Sequence, residues 1–100
     1  MAGYPAHEYA EKILVNLAEA AAKADGEIKV RIEKAIADLD PIKDNRTFMR
    51  TQKAERIAEG TLANSEVLKN NVADVEKLAS IEEDIATLVE RVRTMIIRMT

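Results

Sequence analysis

His7-Glu8 is the one place where this chain sets an imidazole beside a carboxylate, the smallest arrangement able to accept and hold a proton. No second histidine and no cysteine exists to complete a familiar metal set around it, and a position near the N-terminus suits a solvated side chain. Glutamates occur in helical pairs, as at Glu82-Glu83 and Glu90, but the Glu-x-x-His pattern of di-iron bundles is missing. Gly3, Gly26 and Gly60 are isolated and form no phosphate-cradling loop. Ser65 and Ser80 have no histidine to activate them as nucleophiles. The expectation is a protein with no catalytic, cofactor or metal residues.

One charge pattern stands apart. Lys43, Arg46, Arg50 and Lys53 recur at spacings of three and four, with Arg56 close by, so they share a face if the segment is helical. Such a stripe suits an acidic partner or a phosphate backbone. Asp44 and Glu55 dilute it, and an ordinary solvated flank has the same composition.

The elements that must carry these residues are helical. The chain has 100 residues, 47% of them apolar, yet only Phe48, Tyr4 and Tyr9 are aromatic. A core so short of large side chains fills best by close pairing of helices around Ala, Leu, Ile and Val. Fifteen Lys and Arg against 18 Asp and Glu leave a formal charge of −3, the mixture of a solvated helix surface and not the basic excess of a nucleic-acid binder. The longest apolar runs fall well short of the roughly 20 residues of a membrane span, and no basic-then-apolar leader opens the chain. A cytoplasmic protein is the default expectation.

Residues 1–5 read as a flexible lead, with Pro5 suited to a first helical turn. Ile13, Leu17, Ala20, Ala24, Ile28, Ile32, Ala35 and Leu39 then mark one stripe, predicting a long helix over about residues 6–39 with a bend at Asp25-Gly26. Asp40-Pro41 and Asp44-Asn45 place a turn at about 40–46. A second helix is predicted over about 47–99, with a possible interruption near Gly60-Thr61. The whole reads as a single all-α domain, either a long antiparallel helical hairpin or a three-helix bundle, with a coiled-coil-like C-terminal helix.

That last helix has the most regular spacing. Leu78, Ile85, Val92 and Met99 take heptad position a, and Ile81, Leu88 and Met95 take d. Carried backwards, the register puts Asn71 and Asn64 at a, whereas Leu68, Val72 and Val75 propose a different upstream stripe. Val89 and Ile96, at position e, widen the apolar face beyond a two-helix seam. Residues 78–99 therefore call for more than one neighbouring helix, from this chain, a copy of it or another helical protein.

Asp74-Val75-Glu76, Ser80-Ile81-Glu82, Asp84 and Leu88 resemble the C-terminal helix of small subunits of the biogenesis of lysosome-related organelles complex, over about residues 74–92. The resemblance implies a cytoplasmic subunit of an elongated hetero-oligomer that positions lysosomes or sorts endosomal cargo, with no catalytic residues. In length, paired long helices and central turn, the chain is also similar to the helical hairpins of bacterial type VII secretion and their partners. It departs from them in having no Trp-x-Gly at the turn and no Tyr-x-x-x-Asp/Glu near its C-terminus; Tyr4 to Glu8 has that spacing at the opposite end. Three classes follow: a non-catalytic interaction or scaffold subunit of a helical homo- or hetero-oligomer, a secretion-associated hairpin or partner, and a nucleic-acid-associated helical protein resting on Lys43 to Arg56 alone.

Overall fold

A computed structural model describes residues 6–45 and 52–99, with side chains as far as Thr94. The lead at 1–5, the beginning of the second predicted helix, and Arg46 and Arg50 lie outside the described residues, as do the side chains of Met95, Ile96 and Met99. The described residues form four helices and no strand: α1 (Ala6–Lys23), α2 (Gly26–Leu39), α3 (Gln52–Asn70) and α4 (Val75–Met99). A 3-10 turn, Asp40–Ile42, follows α2. The chain is all-α, as its periodicity predicts.

Two local features make four helices where two, or three with a break near Gly60, were expected. At the first, α1 ends at Lys23 and the Ala24 amide bonds back to Ala20 at 3.0 Å. Asp25 is then extended, and Gly26 opens α2 with a φ of +58°. A left-handed residue cannot continue a right-handed helix, so the single helix predicted over 6–39 is instead two helices joined by two residues. The in-phase stripe through Ile28 and Ile32 gave no warning. A helix folded back onto the core on which the first one lies needs the same apolar spacing as a continuous helix.

At the second, the C-terminal half breaks at residues 71–74 and not at Gly60, which sits exposed inside α3. Asn71 Oδ1 accepts the Ala73 amide at 3.3 Å, forming a local turn, and Asp74 Oδ1 accepts the Lys77 amide at 3.1 Å as the N-cap of α4. Asn71 therefore belongs to a loop and takes no heptad position. Asn64 is half-buried on α3, beside that helix's own stripe of Ala54, Ala58, Thr61, Ser65 and Leu68.

The helices pair as two hairpins laid face to face. α3 and α4 are antiparallel across their short loop, so Thr61 and Asp84, equally far from it, meet. The chain beyond α2 returns to the first half of α1, where Glu11 acts on Lys43. Contacts of Asn16 with Ser65, Glu19 with Lys69 and Lys23 with Lys69 advance together along α1 and α3, which run in the same sense. α2 lies in turn on α4, joined by Arg31 and Glu82. The smallest dimension, 19 Å, fits two helical layers.

The core lies between the layers. Ile13 and Leu17 of α1, Ile32 and Leu39 of α2, and Leu68 of α3 are fully buried together with the α4 stripe. Leu78, Ile81, Ile85, Leu88 and Val92 are each at most 5% exposed, and Val89 packs partly buried beside them. The neighbours that this stripe requires are α2 and α3 of the same chain. No described helix is long and apolar enough to cross a membrane.

Gly26 and Gly60, the two glycines among the described residues, give opposite expectations. A Cβ at either meets nothing within 4 Å, so only backbone conformation separates them. In urea denaturation, Gly26→Ala should cost about 1 kcal/mol for the left-handed geometry, while Gly60→Ala should gain about 0.5–1 kcal/mol of helix propensity. Leu88→Ala should cost about 2–5 kcal/mol by leaving a cavity. Near-wild-type stability of that variant would place Leu88 outside the core.

Candidate partner-binding groove

The stripe that α3 turns toward the interior is made of small and hydroxylated residues, Ala54, Ala58, Thr61 and Ser65, before it reaches Leu68. Their size lets the α1 backbone come close, and their hydroxyls need partners once buried. Ser65 Oγ donates to the Leu62 carbonyl at 2.7 Å and accepts from Asn16 Nδ2 at 3.0 Å. Asn16 is itself 7% exposed. This buried polar contact fixes how α1 is rotated against α3, because another rotation would replace Asn16 with a residue unable to reach the hydroxyl.

With that rotation set, the flank of α1 next to its buried stripe faces the flank of α3. Between them runs an open groove of about 650 Å³. Val15, 60% exposed, and half-buried Leu62 form its apolar floor beside Asn16. Glu8 and Glu11 from α1 and Glu66 from α3 stand along its rim and, among the described residues, Lys12 is the one cation that joins them. The lining holds no cysteine, histidine or hydroxyl nucleophile, and no described group of three or more His, Cys, Asp or Glu side chains is placed to hold a metal.

The opposite face of the bundle differs in charge. The cleft of about 180 Å³ between α2 and α4 is crossed by a two-pronged pair in which Arg31 donates to both carboxylate oxygens of Glu82, and Lys34 meets Asp38 at 2.8 Å. The hydrogen bond that Arg31 donates to Glu82 raises the Arg31 pKa against the loss from desolvation, and the charges of Glu82 and then Glu27 add smaller contributions in the same direction. Charge is matched there, while the rim of the α1/α3 groove is net negative.

A second polar contact ties α3 to α4. Thr61 Oγ1 lies 2.7 Å from the Ile57 carbonyl and 2.9 Å from Asp84 Oδ2. A hydroxyl has one proton to donate, and an ionised carboxylate only accepts. Thr61 Oγ1 therefore shares its one proton between the Ile57 carbonyl and Asp84 Oδ2. Desolvation raises the Asp84 pKa, the Thr61 hydrogen bond works against the shift, and the charge of Glu83 adds to it.

The residues singled out in the sequence fall into two groups. Leu78, Ile81, Ile85, Leu88 and Val92 are brought together, but as an internal seam with no surface to offer. Of the cationic stripe, Arg46 and Arg50 lie outside the described residues. Lys43 Nζ is held by Asp40 at 3.1 Å, its pKa raised by that hydrogen bond and charge and further by Asp44 and Glu11, while Lys53 is exposed on α3. His7, expected to be solvated, is instead half-buried on α1, with Nδ1 buried and unpartnered among the described residues. The groove residues were not foreseen. Nor was the buried α3 seam beside them, whose signal was the unbroken four-three spacing of Ala54, Ala58, Thr61, Ser65 and Leu68, invisible to a search for large apolar residues. The chain matches no family model, no curated protein and no solved structure.

Asp84 makes the pH dependence testable. Because its folded pKa is raised, its contribution is fully favourable below the unfolded carboxyl pKa and is lost as pH rises through the folded value. Asp84→Asn should therefore melt higher than wild type at pH 7 and together with it at pH 3, as followed by circular dichroism. Equal melting temperatures at both pH values would remove the raised pKa.

Proposed function

We propose that this chain is a non-catalytic protein-interaction module, a subunit of a cytoplasmic helical assembly that meets its partner through the α1/α3 groove. The observation that carries this reading is the groove itself, where Val15, 60% exposed, stands beside Leu62 in an open groove of mixed apolar and charged lining between two helices joined by a buried polar contact. A rigid groove of this kind presents a preorganised surface, so little ordering entropy opposes docking.

The α4 stripe supports the same choice by elimination. Its described apolar residues are already covered by α2 and α3, so an assembly formed through them would first have to open the bundle, with the loss of most of the core. The outer flanks of α1 and α3 are available without unfolding.

Purification of the tagged chain from its native source, beside a Val15→Asp variant, tests this. Val15 is on the surface, so the variant should keep its helical circular dichroism and melting temperature while losing a stoichiometric partner that the wild-type chain retains. A partner held equally by both proteins would move the interface away from the groove.

A further inference from the structure

Resting on the groove as the partner-binding surface, we infer that its occupant is a cationic amphipathic helix, one that lays an apolar ridge over Val15 and Leu62 and brings Lys or Arg to Glu8, Glu11 and Glu66. Secondary structure decides the first half of that description. Both walls of the groove are helices whose backbone amides and carbonyls are paired within their own turns, so the groove has no ladder of free backbone groups to pair with an extended strand. A strand would leave one edge unpaired against the apolar floor. A helix satisfies its own backbone and needs to supply only side chains.

Charge decides the second half. Among the described residues, three carboxylates and one ammonium line the groove, and the chain as a whole carries a formal charge of −3. An acidic helix would meet repulsion along both walls, as would the phosphates of a nucleic acid or an anionic lipid surface. Lys and Arg also match the mixed lining, since their methylene stems cover apolar surface while their charged ends reach past it to the carboxylates. The charge-matched α2/α4 cleft offers no comparable bias, because Arg31 and Lys34 already hold Glu82 and Asp38. The carboxylates of the rim are spread along two helices and do not converge, which fits several cations along a partner helix better than a single metal ion.

Two synthetic 14-residue helical peptides test the inference, sharing one leucine face and differing only in carrying arginine or glutamate on the flanks. Each is titrated into the isotopically labelled full chain, with backbone amide shifts as the readout and light scattering in parallel. The arginine peptide should move amides over residues 8–16 and 62–66, and its affinity should fall as salt is raised from 50 to 300 mM. The exposed-rim variant E11K/E66K should bind it about tenfold more weakly, the loss expected of two surface ion pairs, and should gain affinity for the glutamate peptide. If the glutamate peptide binds wild type at these amides as well as the arginine peptide does, the cationic preference is wrong and the groove survives as a binding surface. If neither peptide moves these amides, both the preference and the groove reading fall. If the amides shift with protein concentration alone while the scattering mass doubles, the occupant is a second copy of the chain and the inference is overturned.

Discussion

The hydrogen bond from Asn16 to Ser65, made between two helices where almost no water reaches, sets the rotation on which the remaining packing depends. A polar group stranded in such a place costs about 1–3 kcal/mol, so α1 has one favourable rotation where a purely apolar Ala and Leu seam would tolerate several. Once it is set, Ile13 and Leu17 point into the core, and Glu8, Glu11 and Val15 are left on the flank that faces α3. The bond that orients the interior thus also shapes the surface groove. Stability and binding draw on the same contact, one by satisfying a buried amide and the other by holding a surface still.

Closing a core with so few large side chains requires every apolar stripe to be covered from two sides. A chain of 100 residues arranged as one long hairpin would extend its stripes over roughly 50 Å of paired helix and leave the broad face of α4 wet. The left-handed Gly26 and the Asn71–Asp74 loop fold each half back on itself, and the two hairpins then cover each other. Each hairpin supplies what the other lacks, since α1 and α2 bring bulky aliphatic residues to the small seam of α3 and the even apolar ridge of α4. The close approach permitted by Ala54 and Ala58 compensates for the scarcity of aromatic residues.

The distribution of charge divides the surface. Over α2 and α4 the ions are paired, Arg31 with Glu82 across the two helices and Lys34 with Asp38 within α2, and largely cancel, which favours a solvated face. Along α1 and α3 carboxylates outnumber cations and stand beside exposed apolar area. That combination is selective in the usual way of helix-binding surfaces. The apolar floor supplies contact area, and the rim selects the sign of the partner through attraction or repulsion.

Legibility in the sequence followed side-chain size. Helical class, the turn after Leu39 and the burial of Leu78 to Val92 could be read directly, since large aliphatic residues at spacings of three and four admit few other arrangements. The α3 seam could not, because alanine, threonine and serine are as common on exposed helix faces as in close-packed ones, and only a neighbour at short range distinguishes the two. The break at Gly26 was hidden because a folded-back helix and a continuous one share a period. The heptad register of α4, carried backwards, put Asn71 at position a, while the competing stripe through Leu68, Val72 and Val75 marked the change of phase at the loop where Asn71 forms a turn. Local periodicity, then, specified which faces of these helices avoid water. Which face meets which, and therefore the groove between α1 and α3, was settled by a hydrogen bond between residues 49 positions apart, a pairing that no local pattern encodes.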